Sequence, residues 1–303
     1  METQPHPQGI PTEPKTSGMA VASFILAFLP GLNCIGFILA IIALVQIKNP
    51  ANRLKGSGLA VGGLVISLVI WPVLAIFLTV VGGGAASTFL PALARAKSKA
   101  NRIKCVNNLN IINKAHMAFA QDNGQRYPWQ LPAPGIQNHF GSNSGLAQTA
   151  GGVFGLTAMK EELFTPKILL SPCDPERVIA NERLQEDWSS YDSKAGNPVP
   201  GDGISYVLCE GADTMRPSTI LGATRNLSSD DLATARWLGA DSDQGDPNVM
   251  YGLNEGQGQL TTADGASRQS GPYDLGSSGD MVDQHSNSRG GLTKGPASTR
   301  IFR

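Results

Sequence analysis

"FLPALARAKSKANRIKCVNNLN", Phe89–Asn110, carries Arg95, Lys97, Lys99, Arg102 and Lys104 and no acid. From Ala92 to Asn123 the chain has neither Gly nor Pro, and apolar residues recur at Leu93, Ala96, Ala100, Ile103, Val106, Leu109, Ile112 and Phe119. That spacing predicts an amphipathic helix. At ~1.5 Å per residue such a helix approaches roughly 50 Å in length. Pro91 suits its first turn, and Gly124 suits its C-terminal stop. One face is apolar and the other basic, so the helix must lie against something.

Towards the N-terminus, residues 1–18 hold Pro5, Pro7, Pro11 and Pro14 without apolar periodicity, which predicts a disordered tail. Met19–Ile47 is nearly uninterrupted apolar sequence broken by Pro30, Gly31 and Asn33. Neither half reaches the ~20 residues of a membrane span, so one kinked transmembrane helix is expected. A polar loop, Lys48–Ser57, leads to the uncharged run Gly58–Val81, a second span whose Gly62 and Gly63 permit close packing. Residues 19–84 therefore read as a two-span anchor, with Gly82–Gly84 breaking the helix before a stalk over 85–124.

Beyond Gly124 the texture is that of a small sheet with long loops. Gly151–Phe164 reads as a short helix and Lys167–Arg177 as a strand entering a turn. Gly203–Gly211 and Ser218–Asn226 are strand candidates, and Gly258–Ser267 a hairpin whose Asp264-Gly265 suits a type I′ turn. The head is expected over 125–270. A Gly/Ser-rich flexible tail is expected over 271–303, with Thr299–Arg303 able to add an edge strand. The fold class is α+β: an N-terminal transmembrane helical hairpin, then a long amphipathic stalk packed on a small antiparallel sheet.

Charge is unevenly placed on a chain of 303 residues with formal net charge zero. Ala92–Asn123 has six basic residues against Asp122 alone, a net of +5. Gly124–Arg303 has 14 Lys and Arg against 21 Asp and Glu, a net of −7. An acidic head repels phosphate, which argues against nucleic acid as a partner. The basic stalk attracts anionic headgroups of a lipid bilayer, although charge runs are more commonly a solvated face.

Catalytic patterns are absent from the sequence. His6, His116, His139 and His285 are widely separated, and the Gly141–Gly145 segment has Asn143 where a serine nucleophile would stand. Cys34, Cys105, Cys173 and Cys209 form no Cys-x-x-Cys pair. No enzyme and no cofactor are expected. The one metal candidate is Asp241, Asp243 and Asp246, three carboxylates in a loop able to offer hard oxygen ligands to calcium. Solvated acidic loops are the commoner outcome.

Leu90–Trp129 resembles the stalk of bacterial pseudopilin-like proteins of the type II secretion and type IV pilin group. Three later blocks follow in the same order: "FTPKILLSPCDPER" from Phe164, "SYVLCEGADTMRPSTILGATRNL" from Ser205 and "GLNEGQGQLTTADGA" from Gly252. The last is similar to the His-x9-Asp-Gly hairpin of one subgroup. "SGMAVASFILAF" from Ser17 and "GSGLAVGGLVISL" from Gly56 resemble a two-helix bacterial membrane domain of unknown function. Three positions depart from the pattern. The Gly/Phe-Thr-Leu-Ile-Glu processing motif is missing, Asn254 stands where the family has His, and Ser171 and Cys173 have exchanged places.

The resemblance implies a pilin-like head and a non-enzymatic structural or assembly role in the envelope, beside other pseudopilin-like or secretion-system proteins. It also implies a multi-pass protein of the bacterial inner membrane with the head extracytoplasmic. An extracytoplasmic ligand- or partner-binding module is the alternative. The basic-residue rule opposes this topology, with Lys48, Arg53 and Lys55 inside and five basic residues outside. In an oxidising compartment Cys173 is expected to pair with Cys209, and Cys105, matching the family's stalk cysteine, competes.

Overall fold

The computed structural model describes residues 16–28, 33–49, 55–179, 184–242, 245–292 and 294–303. The expected tail lies almost wholly outside them. The chain divides into two compact units, Met1–Leu93 and Ala94–Arg303.

In the first unit, α1 (Gly18–Leu26), α2 (Asn33–Lys48) and α3 (Ser57–Val65) each contact the other two. The single kinked span expected over 19–47 is instead two helices, and α2 folds back on α1. A Cβ added to Gly36 would stand 3.0 Å from the Ala27 amide nitrogen, and one on Gly63 3.2 Å from the Ser23 backbone. A side chain at either place would press the neighbouring backbone apart by a few tenths of an ångström. The Trp71 indole donates to the Ala27 carbonyl at 2.7 Å, which satisfies an orphan acceptor at the end of α1. A π-helical turn (Ile66–Ile70) joins α3 to α4 (Trp71–Asp122). Helix continues through Gly82–Gly84, where a break was expected, and through Pro91, which was expected in the first turn of a new helix. Glycine in a helix costs only about 1 kcal/mol relative to alanine, so flanking helical turns override it.

The packing of this unit is inverted relative to a water-soluble core. Its buried residues are small: Ala20, Ser23, Ala27, Ala40, Ala43 and Ala60. Many of its large apolar residues face outward, among them Phe28, Val45, Val73 and Ile76, the last 62% exposed, while Met19, Leu44 and Ile47 are half-buried against the alanines. Ser57–Phe77 is the one helical run among the described residues long and apolar enough to cross a membrane; Cys34–Lys48 is apolar but shorter.

The second unit is α+β. Strands β1 (Tyr206–Cys209), β2 (Ile220–Thr224), β3 (Gly258–Thr262), β4 (Ser267–Ser270) and β5 (Ile301–Phe302) form an antiparallel sheet in the order β4-β3-β2-β1-β5. Side-chain alternation gives the sheet two apolar faces. Tyr206 and Leu208 meet Leu109, Ile112 and Phe119 of α4, together with α5 (Ala133–Phe140), α6 (Ala150–Phe154) and α7 (Thr157–Leu163). Val207, Cys209 and Leu260 face the other way, against Trp237 and against Met281 and Val282 of α9 (Asp280–Asn287).

Several expectations are corrected here. Lys167–Arg177 is not a strand: Pro166 opens a 3-10 turn (Pro166–Leu169), and Pro175 opens α8 (Pro175–Ile179). Proline at the first position presets helical φ, and this outweighs the apolar run Ile168–Leu170. The helix expected over 151–164 is split at Gly155 and Leu156. The segment 271–303 is not a loose tail. Met281, Val282 and His285 are buried, and Ile301 pairs with Cys209 of β1 as the expected edge strand. At Asp264-Gly265, Gly265 has φ +92° while Asp264 is absent from the positive-φ residues. The turn is thus a three-residue loop closed by a Thr262–Ala266 bond of 2.9 Å, not type I′. Gly124, at φ +65°, does end α4, and the Gln125 amide returns to the Ala120 carbonyl at 2.7 Å.

Candidate functional site

Helix α4 is held to the head by its asparagines. Between Asn101 and Asn113 lie five of them, a poor composition for a helix interior. The Asn113 amide donates to Thr261 Oγ1 at 2.6 Å and to the Thr262 carbonyl at 2.7 Å. Asn110 donates to the Gly265 carbonyl and Asn108 to the Leu170 carbonyl, both at 3.2 Å. Asn101 reaches the Pro172 carbonyl at 3.4 Å. Sequence reading followed the apolar and basic stripes and missed this row. Its trace was the excess of a helix-averse residue.

One turn further on, His116 is fully buried. Its Nδ1 donates to the Ile112 carbonyl at 2.8 Å, and Nε2 has no partner among the described residues. Tyr127, Trp129 and Phe154 surround the ring, with centroids at 6.0, 5.7 and 5.9 Å. Burial without a counter-charge lowers its pKa to about 4, partly offset by the Ile112 carbonyl.

The Ser171–Asp174 turn sits beneath α4. Cys105 Sγ is 2.8 Å from Ser171 Oγ, and that oxygen also accepts the Cys173 amide at 3.1 Å. Hydrogen bonding from the neighbouring Cys173 thiol holds the Cys105 pKa down, and the same contact with burial pushes Cys173 up. Asp174, with a side chain fully removed from water, receives Arg225 at two points: Nε to Oδ2 and Nη2 to Oδ1, each 2.7 Å. Ser205 Oγ donates to Asp174 at 2.9 Å. Arg225 also donates to the Pro247 carbonyl at 2.5 Å and the Val249 carbonyl at 3.2 Å. Four stretches distant in sequence thus converge at one buried ion pair.

The expected pairing of Cys173 with Cys209 is corrected by this geometry. Cys173 packs with Cys105, Met250 and Leu253. Cys209 lies in the other layer, 3.5 Å from the Ser298 carbonyl and 3.9 Å from His285 Nε2, with burial raising its pKa to about 12. All four cysteines are free thiols. Cys173 follows a turn that points to α4, whereas Cys209 ends a strand on the opposite sheet face.

The calcium candidates are used locally. Asp246 Oδ1 accepts the Asn248 amide at 2.8 Å, and Asp241 Oδ1 accepts the Glu255 amide. Asp243 lies outside the described residues. Among the described residues no group of three or more His, Cys, Asp or Glu is arranged to hold a metal. Asp264 is likewise a turn residue, its Oδ1 accepting Thr262 Oγ1 at 2.6 Å and the Ala266 amide at 2.9 Å. Neither a family model, nor a curated protein, nor a solved structure matches the chain.

Proposed function

We propose that this chain is a membrane-anchored, pseudopilin-like protein of the bacterial envelope with a structural or assembly role rather than a catalytic one. The observation that carries the reading is the inverted first unit, with alanine, serine and glycine inside and Phe28, Val45 and Ile76 outside. In water that arrangement exposes apolar surface with nothing to offset it. In lipid, small residues at helix contacts and large ones facing the acyl chains are the stable arrangement. The exposed Phe89, Leu90 and Leu93 of α4, next to uncompensated Arg95, Lys97 and Lys99, supply contact surface for neighbouring envelope proteins or headgroups.

In this reading the bilayer is that of the inner membrane and the head is extracytoplasmic. A fusion of alkaline phosphatase after Gln130 is expected to be active, and a cytoplasm-only fluorescent protein at the same point dark. Fluorescence without phosphatase activity places the head in the cytoplasm and overturns the topology. Co-purification of the full chain with other pseudopilin-like proteins is the expected outcome for the assembly role.

An oxidising location has a second consequence. Oxidation by a thiol–disulfide exchange catalyst is expected to join Cys105 to Cys173, closing a loop of ~68 residues worth about 4 kcal/mol in chain-entropy models. Peptide mapping without reduction reads it directly. A Cys173–Cys209 peptide instead, or four free thiols in protein taken from its native membrane, contradicts it.

The alternative reading, a ligand-binding module on a membrane anchor, is favoured by the cavity beside Arg102 and Gln259.

A further inference from the structure

Between α4 and the β3–β4 edge of the sheet lies a cavity of about 350 Å³. Arg102, Gln257, Gln259 and Gln269 line it, with glycine backbone from positions 256, 258 and 271. Strand register explains the convergence. Gln259 is directly opposite Gln269, and both share the face of Thr261, whose hydroxyl meets Asn113 of α4. Gln257 is two residues before Gln259, and its Oε1 accepts Arg102 Nη1 at 3.2 Å.

Gln259 is fully buried, yet neither its Nε2 nor its Oε1 has a partner, and Arg102 Nε is also unpaired. Buried polar groups are almost always hydrogen-bonded, and here three unmet atoms belong to residues lining one cavity. The lining contains no carboxylate and includes the Arg102 guanidinium, a charge that disfavours a cation. A phosphate, which only accepts, would set its lone pairs against Gln259 Oε1. A hydroxyl both donates and accepts, so adjacent hydroxyls fit an amide and a guanidinium N–H together. A peptide presents the same amide chemistry but brings side chains, and the lining has no apolar side chain besides Pro272 to receive them.

We propose that this cavity binds a neutral polyhydroxylated ligand, a sugar whose vicinal hydroxyls pair with the Gln259 amide and Arg102 Nε once these side chains, whose unpaired atoms are closed to solvent in the free protein, turn into the cavity. Entry is past Gln269, an exposed residue of the edge strand β4. The inference deepens the binding-module reading and is independent of which side of the membrane holds the head.

The test uses the full chain in a detergent without a sugar headgroup. The probes are neutral disaccharides of glucose, galactose and N-acetylglucosamine, followed by saturation-transfer NMR and thermal unfolding. At least one is expected to bind saturably and raise Tm. Gln259→Met is expected to weaken that binding about tenfold or more. The same change raises the Tm of the free protein by about 2–4 °C, since it removes a buried unpaired amide without changing much volume. Gln269→Ala is expected to alter affinity and leave Tm of the free protein unchanged. The proposal is overturned if no disaccharide saturates, if Gln259→Met binds as tightly as the parent, or if Gln259→Met lowers the free protein's Tm. Binding of amide-bearing peptides but not sugars overturns the ligand class. None of these outcomes alters the phosphatase result, so the two readings fail separately.

Discussion

Arg225→Met is expected to lower the stability of the head by about 3 kcal/mol, since it leaves the buried Asp174 carboxylate with only the Ser205 hydroxyl and the Arg177 guanidinium, 3.9 Å away, as partners. Asp174 is fully buried, and Arg225 supplies two of its hydrogen bonds, both 2.7 Å. The variant also strips donors from the Pro247 and Val249 carbonyls, so the loop before Leu253 loosens with it. Denaturant unfolding of the full chain, followed by tryptophan fluorescence, measures the loss. The double variant Asp174→Leu/Arg225→Met is expected to recover much of it, because an apolar pair of similar volume leaves no charge uncompensated. A single-variant loss below about 1 kcal/mol would show that the pair is solvated and would remove it as the pin of the head.

Acidification is expected to destabilise the head between pH 6.5 and 4, well before most carboxylates titrate. The folded-state pKa of His116 is about 4, below its unfolded value of 6.5. The unfolded chain therefore takes up the proton first. Stability is complete above pH 6.5 and declines as pH falls towards 4, by about 3 kcal/mol for this one group. Burial also lowers the pKa of His285, whose Nδ1 accepts the Ile220 amide at 2.9 Å, so it adds a loss of the same sign. His116→Leu keeps an apolar body in the Tyr127–Trp129–Phe154 cage and is expected to flatten the slope in this window. A variant with the parent's full pH dependence would assign the slope to other groups.

Much of the second unit was legible because its pattern is local. The 3.6-residue period from Leu93 to Phe119 specified the C-terminal part of α4 and Gly124 its end, but not its start at Trp71. The apolar segments in Gly203–Gly211 and Ser218–Asn226 and the Asp264-Gly265 turn located two strands and a hairpin. Turn type was missed because Asp-Gly suits several loops, and loop length was decided by how β3 and β4 register. The Asp174–Arg225 pair was not legible, since the partners are 51 residues apart and neither side chain marks its mate.

In the first unit, the sequence by itself determined the apolar content of 19–47 and 58–81 and the small residues that line helix contacts. It did not determine that α2 returns along α1, because a Pro-Gly interruption is compatible with a kink or a reversal, and only packing against α3 selects between them. The cysteines divide the same way. Their number and spacing are sequence facts, but Cys105 meets Cys173 because α4 crosses one face of the sheet while Cys209 points to the other. Local sequence sets backbone preferences over a few residues. Which distant side chains share a layer is set by the burial of apolar area over the whole unit, and that sum exists only in the tertiary structure.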